Sequence, residues 1–129
     1  MKGKLQKQKE LYERAMALLS EIVEEHKKVQ AEIDAYEYCI GQMDEHIEKY
    51  PNGKIIFLTT RTYFAVEAAK NAGVPYSRMI VVTYRDRLLG IDLKDRDDIL
   101  VIIHDTPEEI ARDAVLVERI LSASNIVRL

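Results

Sequence analysis

The sequence predicts an α/β protein in which a long helix precedes a small sheet domain. Three observations carry that prediction. An apolar seven-residue repeat runs from Leu5 to Tyr50, three continuous β-branched apolar runs follow Pro51, and helix-forming segments lie between and after those runs. Residues 1–50 are read as a coiled-coil-type helix. Residues 54–129 are read as a small α/β domain, a mainly parallel four-stranded sheet flanked by helices and Rossmann-like in its alternation.

Written in sevens, the first segment places Leu5, Tyr12, Leu19, His26, Ile33, Ile40 and Ile47 at one core position. Gln8, Ala15, Ile22, Val29, Tyr36, Met43 and Tyr50 fill the other, so that only Gln8 and His26 are clearly polar. A repeat this long marks a helix that packs lengthwise against other helices. At about 1.5 Å per residue it would extend roughly 65–70 Å, whereas a domain of about 75 residues is only about 25–30 Å across. Part of the helix is therefore expected to meet another chain. The oligomer interface is assigned to Leu5, Tyr12, Leu19, Ile22, His26, Val29, Ile33, Tyr36, Ile40, Met43 and Ile47.

Leu11, Met16, Leu18 and Val23 widen the apolar face beyond a simple two-stranded seam. Farther on, the flanks hold Glu25, Glu32 and Glu37, and a parallel pair would set Glu32 against the partner's Glu37. An antiparallel pair instead brings the basic start, with Lys2, Lys4, Lys7 and Lys9, towards the acidic second half. Gly41 weakens the helix by about 1 kcal/mol relative to alanine, but the repeat passes through it unchanged. Pro51, Asn52 and Gly53 end the helix and turn the chain.

Lys54–Thr60, Met79–Tyr84 and Ile99–His104 lack the polar alternation of a half-exposed sheet, which marks them as buried parallel strands. Asn125–Leu129 adds an edge strand. A helix over Tyr63–Ala72 is closed by Gly73 and Pro75; another over Pro107–Ser122 has Thr106 as its expected cap, with Glu109 three residues on. This order predicts strand order 2-1-3-4 with the two helices on opposite faces. The connector 85–98, with nine charged residues in fourteen, must cross over in little chain and is expected to hold a short helix at 85–89.

In such a sheet ligands bind beyond the carboxyl ends of the strands. Those ends supply Thr59, Thr60 and Arg61, then Tyr84, Arg85 and Arg87, and last His104, Asp105 and Thr106; the ligand site is assigned to Thr60, Arg61, Arg85, Arg87, His104, Asp105 and Thr106. Guanidinium groups, hydroxyls and helix N-termini there suit a phosphate or carboxylate. The segment ILVIIHD resembles the strand-plus-aspartate that holds magnesium in P-loop nucleotide hydrolases. No GxxxxGK[ST] occurs anywhere, so no family assignment is carried over.

GxGxxG and GxSxG are also absent, and the single Cys39 excludes an internal disulfide. Beside Glu45, His46 lacks the second histidine of HExxH. Lys94 and Arg96 interrupt the aspartates at 92, 95, 97 and 98, leaving a solvated loop rather than a cation site. No cofactor and no metal are expected, and nothing requires an enzyme. With no run of about 18 apolar residues and no signal-like N-terminus, a cytoplasmic protein without membrane contact is expected. The leading reading is a homo-oligomeric scaffold, whose partner is a second copy or another helical protein. The alternative is a binder of a nucleotide-like or phosphorylated small molecule at the strand ends. Third comes a nucleic-acid-associated factor using the basic N-terminus, although a net charge of −3 argues against broad nucleic-acid binding.

Overall fold

The computed structural model describes residues 2–129; Met1 and the side chain of Lys2 lie outside the described residues. The first helix, α1, runs over Lys2–Lys49. Two compact units divide the chain, Met1–Ala35 and Tyr36–Leu129. The last turns of α1 thus go with the sheet, earlier in the chain than the turn at Pro51 suggests.

Within the second unit the strands are β1 (Lys54–Leu58), β2 (Met79–Val82), β3 (Ile99–Ile103) and β4 (Asn125–Arg128). They form one parallel sheet in the predicted order, β2-β1-β3-β4. In the central register Ile55 lies opposite Met79 on one side and Leu100 on the other, and Phe57 opposite Val81 and Ile102. Because side chains alternate between faces, this register separates two cores.

On one face Ile55, Phe57, Leu100 and Ile102 pack with α2 (Thr62–Ala72) and with Cys39 and Met43 of α1. The buried residues of α2 are Ala65, Ala68 and Ala69, whose i, i+3, i+4 spacing and small size form its sheet-facing side. On the other face Ile56, Leu58 and Val101 pack with Leu88, Leu93, Ile110, Leu116 and Ile120. Helices therefore cover both faces, as the strand–helix order predicts.

Several predicted boundaries change. The first three strands end one or two residues sooner than the β-branched pattern. Thr59 N–H reaches Val82 O (3.2 Å), while His104 N–H and Asp105 N–H both converge on Leu58 O (3.0 and 3.2 Å). The predicted helix 107–122 is two helices, α3 (Glu108–Ala111) and α4 (Ala114–Leu121). Asp113 breaks them: in extended backbone, its carboxylate accepts from Val115 N–H and Leu116 N–H (3.1 and 3.2 Å), the arrangement of an N-cap. The expected Thr106 cap is not made, because Pro107 occupies the N-cap position of α3 without any side-chain cap bond.

The connector after β2 starts with a 3-10 turn over Arg85–Leu88. Leu88 and Leu93, each 1% exposed, fasten this charged segment to the sheet, and an isolated antiparallel bridge joins Lys94 to Ala123. At the junction between α1 and β1, Asp98 O accepts from Lys54 N–H (2.9 Å) and from His46 Nε2 (3.0 Å). A Cβ at Gly53 would lie 2.8 Å from that carbonyl and 2.9 Å from Tyr50 Cβ, so the junction closes only around glycine. Among the described residues no helix is long and apolar enough to cross a membrane.

Candidate functional site

Two features of the structure call for a function. The first is the cluster at the carboxyl ends of β1 and β3. Thr60 donates its hydroxyl to Asp105 Oδ2 (2.6 Å), which joins the two strand ends. Buried Thr59 accepts from Arg61 N–H (2.9 Å), and its Oγ1 lies 2.9 Å from His104 Nδ1. The Thr59 hydroxyl also reaches Arg61 O as a donor (3.4 Å).

His104 stacks on Phe64 with centroids 3.9 Å apart and rings 5° from parallel. Burial pushes its pKa below the usual histidine value, Arg61 adds to the depression, and Asp105 opposes it. A lowered pKa means that the unfolded chain takes the proton more readily. This residue therefore costs stability as pH falls from about 6.5 towards the folded value.

Beside the cluster a hollow of about 520 Å³ is lined by Tyr36, Arg61, Tyr63, Phe64 and Glu67. Tyr36 sits edge-on to Phe64 (5.4 Å) and its hydroxyl accepts from Asn71. Among the described residues Arg61 makes no ion pair. As N-cap of α2 it makes no side-chain cap bond to the first turn.

The predicted strand-end residues divide. Thr59, Thr60, Arg61, His104 and Asp105 come together, with Phe64 as a member that sequence reasoning did not include. Arg85 pairs instead with Asp113 (3.5 Å), and Arg87 is exposed on the 3-10 turn. Thr106 lines a separate hollow with Leu58, Ile103 and Val117. Phe64 was legible only as a helix residue; its place on the first turn after Arg61 was the available signal.

The second feature lies on residues 2–35 of α1. Leu5, Tyr12, Leu19, Ile22, Val29 and Ile33 are between 44% and 67% exposed, and so are the flanking Leu11, Met16, Leu18 and Val23. His26 is also exposed. The remaining predicted interface residues behave differently. Met43 is fully buried in the sheet unit, Tyr36 and Ile47 pack against the same core, and Ile40 is half-buried.

Cys39 is buried beside Met43, its Sγ 3.8 Å from the thioether, and desolvation pushes its thiol up to about 12. It is a packing residue, not a nucleophile. No group of three or more His, Cys, Asp or Glu among the described residues is arranged to hold a metal ion. No family model, curated protein or solved structure matches the chain.

Proposed function

We propose that this chain is a homo-oligomeric interaction module, assembled through residues 2–35 of α1. The carrying observation is the exposed apolar side chains along that segment, in contrast to the fully buried Met43 in the same helix. A soluble monomer rarely leaves so many large apolar groups together in water, and burial of each stabilises by about 1.5–3 kcal/mol. Light scattering of the full chain over a concentration series tests this. The expected mass is a multiple of the 14.9 kDa chain, falling to the chain mass in the double variant Leu19→Glu, Ile22→Glu. A wild-type monomer at every concentration would defeat the proposal.

The unpaired Arg61 beside an aromatic hollow supports a second reading, a small phosphorylated or carboxylate ligand at the ends of β1 and β3. His104 is the reporter. Its ring should titrate below 6.5 in the free protein. An anion bound at Arg61 should raise that midpoint, because it offsets the neighbouring positive charge. NMR titration with saturating inorganic phosphate, in wild type and Arg61→Ala, measures this. A midpoint that phosphate leaves unmoved rules out phosphate binding here.

A further inference from the structure

The occupant of the exposed stripe follows from the pattern of residues 2–35 and from where the sheet unit begins. We infer that it is a second copy of this chain running antiparallel, with the two-fold axis at the level of Ala17. This rests on the oligomeric reading above and deepens it. Under that axis each residue meets the one equally far from Ala17 on the other side.

Leu5 then packs against the partner's Val29, Tyr12 against the partner's Ile22, and Ala15 against the partner's Leu19. The two polar core residues meet each other, Gln8 facing the partner's His26. Near the axis the widened flanks become self-complementary, Met16 against the partner's Leu18 and Leu18 against the partner's Met16. At the ends Lys4 comes level with the partner's Gln30, two residues from the partner's Glu32. Such self-pairing is what an isologous interface requires, and an unrelated partner would have no reason to be met by it.

Two competing arrangements fit less well. In a parallel pair Lys4 flanks the partner's Lys9, so the basic end of the seam sets like charges together. An antiparallel pair shifted by one heptad would set Gln8 against the partner's Ile33 and His26 against the partner's Ala15, leaving both polar groups without partners in an apolar seam. That shift also needs Tyr36 at the seam. Tyr36 is engaged by Phe64 and Asn71 within its own sheet unit, so the seam has to end before it.

Cysteine cross-linking in the full chain distinguishes these arrangements. The native Cys39 is buried and its thiol held far up, so it stays silent under mild oxidation. The double variant Leu5→Cys, Val29→Cys is expected to give several-fold more disulfide-linked dimer on a non-reducing gel than either single variant. About 24 helical residues of separation, roughly 36 Å, forbid the bond within one chain. Strong cross-linking of Leu5→Cys alone would show a parallel pair and overturn the inference. So would cross-linking of Tyr12→Cys, Val29→Cys in preference, which reports the shifted register. Light scattering on the same samples separates two failures. An oligomer that does not cross-link refutes the register alone, and a monomer refutes the oligomeric reading beneath it.

Discussion

A chain lacking residues 1–50 is expected to lose cooperative unfolding, whereas one lacking residues 1–35 is expected to keep it. The difference lies in the last turns of α1. Cys39 and Met43 are fully buried against the face that carries Leu100 and Ile102, and Tyr36 and Ile47 pack around them. Burial of each large apolar side chain stabilises by about 1.5–3 kcal/mol, so the four together contribute on the order of 5–10 kcal/mol. The entire stability of a small domain is about 5–15 kcal/mol. The bond from His46 Nε2 to Asp98 O, which ties the helix end to the start of β1, goes as well.

Nothing comparable is lost with residues 1–35, a compact unit in which the large apolar side chains from Leu5 to Ile33 are exposed. Thermal melting of both truncations by circular dichroism, at low concentration, measures the contrast. A chain starting at Pro51 that melts like the full chain would show that α1 is dispensable for the sheet.

The sheet was legible because its strands are continuous β-branched runs separated by glycine, proline and charged segments, and such runs have few arrangements when parallel. The strand ends were less so. Thr59, Thr60 and Tyr84 have β-forming side chains and His104 directly continues an apolar run, but hydrogen bonding beyond the ladder, as at Thr59 and His104, decides where a strand stops. The helix break at Asp113 was invisible to apolar spacing, since aspartate is tolerated in a helix and becomes a cap only once the backbone turns extended.

Hardest to read was the division inside α1. The heptad repeat runs through Tyr36 without change, yet the buried side rotates there, because Cys39, Met43 and His46 go inward while Ile40 is only half-buried. A signal for this existed. The flank occupied by Glu25 and Glu32 in earlier heptads holds Cys39 and His46 in later ones, a change from solvated to buriable side chains. At the strand ends, sequence order told which residues reach the sheet edge but not which side of it they take. Arg61 N–H and His104 Nδ1 therefore meet at Thr59 Oγ1, whereas Arg85 is drawn to Asp113.

Met43 and Ile22 occupy the same heptad position, so sequence pattern assigns them one role, and substitution is expected to assign them two. Met43→Ala empties a site that is fully buried in its own chain and in sulfur contact with Cys39. A truncation of this kind costs about 2–5 kcal/mol, the lost transfer energy plus the cavity left behind. That is a large part of the stability of this unit, and a urea midpoint measured at low concentration should fall accordingly.

Ile22→Ala removes a side chain that is 56% exposed in its own chain. Changes at such surface positions are usually within about 0.5 kcal/mol, so the same midpoint should hardly move. Under the proposed assembly its effect should appear instead in the concentration at which chains associate, since lost interface area would weaken only the bound state. Equal falls in the dilute urea midpoint for both variants would mean that Ile22 is buried within its own fold, and the functional division of α1 would fail. A large fall for Met43 alone, with association weakened only by Ile22→Ala, would show one continuous helix serving as a sheet layer in its last turns and as an intermolecular surface before them.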